Sequence, residues 1–509
     1  MARGVGAQWG RILAGSAAVA LLLAPGCGGR NHRPLVVAFD ESIMTLDPHL
    51  QNHAATWSVL INVYDGLVRF SPEMRLEPSL ATSWEKLDAT RWRLRLRRGV
   101  RFSDGSTFDA ADVVASLERA RTHPRSEVRH LIVGVRGVRE EGADAVVMET
   151  ADPLPDLLNR LAFLAIVPSE AASRAEITEP VGTGPYRFEK RLANGDILLA
   201  GWASWRGRPA IREVRLCFLA DAGEAVRRLI NGAADVVRRP PDDMLREIER
   251  HRHLRLVPQP RLGVQLLAVI PNAPAGAAGG ALADPRVRRA LILALDREGW
   301  VSRVFRGNGT VASQYVHPVV FGYDPAIQPA PFDPDQARRL LAEAGYAEGF
   351  AVKLVHVAGR TSLVDAVEED LAKVKIRVLA EGGSYAEALA RVRTGQADLF
   401  LYGWICSTGD ASDFLNSSIH SRDIARGLGL ENYGGFADPV TDRLLEEADR
   451  ELVPERRLQL LQEAQRRTLQ SLPVLPLTVR WGFVATSDRV EVRTRHDERI
   501  WLFDYRWRT

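Results

Sequence analysis

An α/β architecture spread over two to four domains is the fold class this sequence predicts, and three observations predict it. At 509 residues the chain is too long for one hydrophobic core. Its composition, 46% hydrophobic and 26% charged with 28 prolines and 41 glycines, belongs to folded chains and excludes a disordered or low-complexity one. In its second half, strand-like runs alternate with amphipathic helices, the rhythm of a largely parallel sheet.

The first element is not part of that fold. Arg3 and Arg11 precede the apolar run Ile12 to Ala24, and Pro25-Gly26-Cys27 follows. A positive flank and a short apolar run read as an export signal over residues 1–26, too short to span a membrane as a finished helix. Cys27, behind a small Gly26, resembles the lipid-modified cysteine of bacterial lipoproteins, although Pro25 is unusual there; plain secretion is the competing reading. No later stretch is long and apolar enough to span a membrane.

Pro34 to Phe39 then reads as a buried strand. "RWRLRLRRGVR" (Arg91 to Arg101) alternates Arg with Trp or Leu, a period-2 strand with one wet face. A nucleic-acid stripe is the weaker reading, since 67 basic residues nearly balance 64 acidic ones. Phe108 to His123 is a helix with Asp109 as N-cap and Asp112 at N3. "AVVMET" and "LAFLAIV" are further strand-like runs, and "PVGTGPYRF" (Pro180 to Phe188) changes direction at Gly182, Gly184 and Pro185. Two strands, "DILLA" and "EVRLCFLA", precede a helix that stops near Gly232.

Three helices in the second half open with Asp-Pro, at Asp284, Asp333 and Asp438. The aspartate caps free backbone N–H groups, and proline at N1 sacrifices no hydrogen bond. Val287, Ala290, Leu291, Ala294 and Leu295 make one apolar face; Ala337, Leu340, Leu341 and Ala344 make another, with Gly345 as the stop. Between the helices "FAVKLVHVA", "KIRVLA" and "ADLFLYGW" read as strands. Ligands of such sheets sit beyond the strands' carboxyl ends, and "LYGWICSTGDASDF" (Leu401 to Phe414) stands at one. "APAGAAGGALA" (Ala273 to Ala283) reads as a loose surface loop near a domain junction.

Signatures of catalysis are missing from the sequence. It contains no H-E-x-x-H, G-x-S-x-G, G-x-x-x-x-G-K-[ST] or G-x-G-x-x-G. His251 and His253 sit among arginines that would repel a metal cation, and "DGSTFDAAD" lacks the alternating ligands of a calcium loop. His49, His53, His317, His356 and His420 are scattered, so no triad is arguable. No catalytic residue, metal site or cofactor is expected, and Cys217 and Cys406 are expected as free thiols.

Read in order, "VYDGLVRFSPEMRLEPSLATSWE", "GVRFSDGSTFDAADVV", "PVGTGPYRFEK", "DPRVRRALILALDRE", "FDPDQARRLLAEAGYAEGF" and "NYGGFADPVTDRLLEEADRE" resemble family 5 extracellular solute-binding proteins, from about Pro34 to the C-terminus. Members are dipeptide, oligopeptide, nickel and oligosaccharide receptors of ABC importers. The resemblance implies a three-domain, two-lobed Venus-flytrap of the periplasmic-binding-protein type. Domain I would take residues 27–53, 180–270 and 481–509, domain II residues 54–179 and domain III residues 271–480. Hinge strands would lie at Gly182, Gly184 and Pro185, with the second return near Pro476 to Ala485. The implied role is a monomeric, lipid-anchored receptor outside the cytoplasm. It would pass a peptide or similar small oligomer to permease subunits, with no nucleic-acid partner. An oligosaccharide or metal chelate as solute, or a sensor or scaffold role, are the alternatives. A hydrolase built on Asp410 lacks a visible second catalytic residue.

In peptide-binding relatives the loop resembles G-W-x-x-D-x-x-D-P, whose first aspartate pairs with the ligand's amino group. That position here is Ser407, the second aspartate is Asp410, and Ala411 replaces the proline. A buried ammonium needs an anion, because an unpaired buried charge costs several kcal/mol or more. Either Asp410 or Asp413 substitutes, or the ligand carries no free amino group. Trp404, Cys406, Ser407, Thr408, Asp410 and Asp413 are therefore the candidate ligand contacts. Glu41 and Ser42, after the first strand, are further candidates that could equally be turn residues. The strand "VQLLAVIPN" lacks the aromatic residues of relatives, which bears on the pocket floor or on core packing.

Overall fold

The computed structural model describes residues 33–359 and 361–508; the signal-like segment and Cys27 lie outside the described residues. Three sheets organise the chain. The first has seven strands, in the order Leu254–Gln259, Gly482–Ser487, Val236–Val237, Leu35–Phe39, Glu213–Phe218, Ile197–Gly201 and Tyr186–Arg191. The run at Pro34 is thus a central strand, parallel to Glu213–Phe218 and Val236–Val237. The second sheet is antiparallel and four-stranded: Ala81–Lys86, Arg91–Leu96, Ala145–Thr150 and Val135–Glu140. Arg91–Leu96 is half-buried as its alternation requires, with Trp92, Leu94 and Leu96 inward.

The third sheet has six strands, in the order Gly309–Val311, Val474–Arg480, Gly263–Val269, Leu399–Ile405, Phe350–Val357 and Ile376–Gly383. It is mixed rather than largely parallel. Phe350–Val357 runs parallel to both its neighbours, whereas Gly263–Val269 is antiparallel to Leu399–Ile405 and Val474–Arg480. The two strands that carry the chain into and out of this lobe come from distant parts of the sequence, and no crossover helix constrains them to run parallel. Gly263–Val269 had been expected to close domain I's second segment; its pairing puts it in the third sheet. Likewise the helix Ala54–Leu60, expected to open domain II, packs Trp57, Val59 and Leu60 against Leu35, Val37 and Phe39 of the first sheet.

Helix ends follow the sequence chemistry. Asp109 accepts from Ala111 N while Asp112 accepts from Asp109 N, a reciprocal cap. Asp284, Asp333 and Asp438 cap Asp-Pro helices through Arg286 N, Gln336 N and Val440 N. "LAFLAIV" (Leu161 to Val167) departs from expectation: its first residue ends the helix Leu157–Leu161, and Leu164 to Val167 are buried without a sheet partner. Its backbone groups are satisfied by other means. Ile166 N donates to Asp65 O at 2.8 Å, and Val167 N donates to the Ser116 hydroxyl at 2.9 Å. The Gly/Ala-rich segment is tied down too, since Ala277 N donates to the buried Asp398 carboxylate at 2.7 Å.

The chain crosses between the first and third sheets twice, through residues 260–262 and through Trp481. The second crossing falls inside the expected Pro476 to Ala485 segment. Gly182, Gly184 and Pro185 lie elsewhere, between the strand Tyr186–Arg191 of the first sheet and the loop at Val63. Gly184 N donates to Val63 O at 2.8 Å, and Ser103 N to Gly182 O at 2.9 Å. A methyl on Gly182 would sit 2.0 Å from Val63 O, so glycine here permits backbone contact rather than bending. Thr183 donates to Asp65 at 2.9 Å, and Arg206 pairs with the same carboxylate at 2.6 Å. "VYDG" and "PVGTGPY" are therefore two halves of one packed junction.

Candidate ligand cleft

A cavity of about 770 Å³ opens between the first and third sheets. Its third-sheet wall is Gly263 and Gln265, then Gly403 and Ile405 at the carboxyl end of Leu399–Ile405, then Val357 to Gly359 at the end of the neighbouring parallel strand. Its first-sheet wall includes Arg239, Asp242 and Phe483, and both crossings line it through Arg261 and Trp481. The strand ends thus open where an α/β sheet is expected to receive its ligand.

Period-2 geometry decides which residues of the strand and loop Leu399 to Phe414 reach this space. Phe400, Tyr402 and Trp404 point to one face of the sheet, into a core with Phe414; Leu399 and Leu401 point to the other, followed by Gly403 and Ile405 on the cavity side. Trp404 is half-buried with its ring edge-on to Phe414, 5.4 Å between centroids, and it does not line the cavity. Ile405 does, and is 58% exposed.

The loop's acids are engaged elsewhere. Asp410 is buried and receives Arg457 through both terminal guanidinium nitrogens, one at 3.0 Å. It also accepts from Ser412 N and the Ser412 hydroxyl at 3.0 and 2.8 Å. Cys406 is buried and donates to Asp410 O at 2.9 Å; burial raises its thiol pKa well above the ordinary range, so it is an inert filler. Asp413 is partly buried, and loss of solvent raises its carboxyl to about 6 against the Thr408 hydroxyl 3.3 Å away. Thr408 also accepts through its carbonyl from Asn159 Nδ2 at 2.8 Å, joining the loop to the helix Leu157–Leu161. Of the loop's polar candidates Ser407 is the exposed one, two residues after Ile405, but it is not among the residues that line the cavity.

Glu41 accepts from the buried Arg238 at 3.1 Å and lies 3.2 Å from His53, so it anchors a turn; Ser42 is exposed beside it. Neither lines the cavity, although Arg239, which does, is 3.9 Å from Glu41. A second cavity of about 640 Å³ lies on the other side of the loop, between the four-stranded sheet and the helix Pro454–Ser471; its walls are mainly apolar, with Trp84, Trp92 and Phe321 among them. Among the described residues no group of three or more His, Cys, Asp or Glu could hold a metal ion, and no helix is long and apolar enough to cross a membrane.

Arg239, Arg261, Gln265, Gly403, Ile405 and Arg480 were not singled out from the sequence. The signal for three was present: Gly403 and Ile405 lie within the stretch Leu401 to Phe414, and Arg480 precedes Trp481 in the expected hinge return.

The sequence profile described as "Bacterial extracellular solute-binding proteins, family 5 Middle" matches residues 75–426, more than half of the chain. The chain belongs to that family. Its relatives are binding proteins rather than enzymes, working outside the cytoplasm. They include "Di/tripeptide-binding protein 2" of Pseudomonas aeruginosa, 27% identical over 82% of this chain and 83% of that protein. "Glutathione-binding protein GsiB" of Escherichia coli is 27% identical over 88% and 89%. "Heme-binding protein A" of Haemophilus influenzae is 27% identical over 84% of each. Among solved structures, HbpA2 of Haemophilus parasuis superposes with a TM-score of 0.81 at 24% identity, covering 94% of this chain and 100% of that one. The peptide-bound DppA of Helicobacter pylori gives 0.72 at 22%, covering 93% and 98%. These likenesses establish the two-lobed flytrap fold of the periplasmic binding proteins.

Proposed function

We propose that this family member captures a peptide or similar small oligomer in the 770 Å³ cleft and delivers it to the permease of an ABC importer. The cleft itself carries the reading. Its volume is in the range of small-ligand sites, and both lobes and both crossings supply its walls. A solute held there contacts both lobes at once and so favours their approach, which is how binding becomes a shape a permease can read. Ser407, exposed two residues beyond the wall residue Ile405, becomes a contact in this reading once the lobes approach, while Asp410, Cys406 and Trp404 support the loop from behind. The names of the relatives favour a peptide-derived solute. An anchor at Cys27 would hold the receptor at the membrane surface.

Thermal stabilisation of the purified protein tests this. Pools of di- to pentapeptides, oligosaccharides, nickel chelates and haem are compared. A ligand at about 100 times its dissociation constant adds roughly 2.7 kcal/mol, visible as a raised melting temperature. Stabilisation by a peptide pool supports the reading. Stabilisation confined to a sugar, chelate or haem moves the solute class and leaves the cleft as its site.

A further inference from the structure

The cleft's charges are unevenly matched. Arg480 reaches across it to Asp242 at 2.6 Å, and Arg261 at the crossing lies 3.2 Å from Glu498. Two arginines of the wall remain without a close partner. Arg239, on the first-sheet lobe, is no nearer than 3.6 Å to Asp40 and 3.9 Å to Glu41. Arg306, on the third-sheet lobe, is exposed and makes no hydrogen bond or ion pair with a described residue. Against them stands one unpaired wall carboxylate, Asp243, exposed on the turn Asp242–Met244.

Arg306 is also held in an uncommon backbone state, with φ of 52°, immediately after the helix Arg297–Arg303 and Val304-Phe305. A long side chain in the left-handed region costs energy and persists where the surroundings impose it. Arg306 lines the cleft, and its side chain makes no bond back to its own helix. Arg480, over the Phe305 ring at 4.6 Å, stiffens the same corner.

Of the three wall carboxylates, Asp242 and Glu498 face arginines and Asp243 is the one left unpaired. An amino terminus entering the cleft would meet neither Asp410, which Arg457 occupies, nor an aspartate at position 407, which is serine. With arginines on both walls, closing the empty cleft brings like charges together, and an anion between them removes that cost.

From these observations we infer that the cleft is specific for acidic solutes, with a carboxylate or comparable anion clamped between Arg306 and Arg239 and no requirement for a free amino group. This rests on the cleft being a solute site and names the chemistry it selects.

The test is calorimetric titration of the purified protein with trialanine, N-acetyl-trialanine, trialanine amide, N-acetyl-trialanine amide and N-acetyl-triglutamate, repeated with R306A. Acetylated acids are expected to bind at least as tightly as free trialanine. Amidation of the carboxyl end is expected to weaken binding by about tenfold or more, the scale of a lost charge-assisted hydrogen bond. R306A should erase the difference between acid and amide, and added salt should weaken only the acids. Arg306 is exposed, so its replacement leaves the core intact. Acids and amides binding alike, or a free amine proving necessary, would overturn the clamp while leaving the cleft a peptide site. If no probe binds and a sugar or chelate does, the clamp falls and the solute site stands. No binding by any class defeats both readings.

Discussion

Asp410 and Arg457 form a buried, two-pronged ion pair behind the loop Cys406 to Asp413, with Ser412 completing the carboxylate's hydrogen bonds. This pair explains why the loop's most conspicuous acid faces away from the cleft. The helix Pro454–Ser471 supplies the guanidinium, and Arg457 Nε donates onward to Ala448 O at 3.0 Å, so one side chain fastens the loop to two helices.

Replacing Arg457 by Met should therefore destabilise the fold by about 3–5 kcal/mol, because it leaves an uncompensated buried carboxylate. Urea unfolding measures this. The double replacement Asp410→Asn with Arg457→Met should recover part of the loss, which a ligand-contact role for Asp410 would not predict.

Asp413 and Asp449 give the protein a pH signature. Burial raises each carboxyl to about 6 from an ordinary 3.8, with Thr408 and Asn416 as their respective hydrogen-bond donors. The folded state then holds protons that the unfolded state has released. The associated stability is complete below pH 3.8 and is lost as pH rises through about 6. Asp413→Asn should raise stability at pH 7 by on the order of 1–2 kcal/mol and flatten the profile between about pH 4 and 6. Denaturation midpoints across that window are the readout, and an unchanged profile would remove Asp413 from the account.

Gly182→Ala places a methyl 2.0 Å from Val63 O, a backbone atom that cannot swing aside. A loss of about 3 kcal/mol or more is expected, the upper end of overpacking effects. Gly137→Ala, where an added methyl meets nothing within 4 Å, is the control and should be nearly neutral. Equal effects at the two sites would contradict a packed junction at Gly182.

Much of this architecture was legible in the sequence where local chemistry decides it. The Asp-Pro caps, the reciprocal Asp109 and Asp112 cap and the alternation of Arg91–Leu96 each depend on residues within one turn or one strand. Long-range partnerships were not legible. Gly263–Val269 reads as a strand from its own residues, but its sheet is fixed by Tyr402 and Leu475, well over a hundred residues away. The site divides on the same line. The strand end at Gly403 and Ile405 was visible, but the fate of Asp410 depended on Arg457, and the cleft's arginines come from four separate segments. A polar sequence suggests a loop that faces ligand, but five of its six candidate contacts, Trp404, Cys406, Thr408, Asp410 and Asp413, have partners within the fold.

The most direct test of the central claim is the distance across the cleft. Spin labels at Arg246→Cys and Ser302→Cys, exposed helix positions on the two lobes, report the separation, with Cys27 replaced by Ser and the buried Cys217 and Cys406 left unlabelled. On adding a pooled di- to pentapeptide library or the N-acetylated acids, the account predicts that the distribution narrows to one short separation. A distribution unmoved by ligands that measurably bind would place them outside the cleft and contradict it.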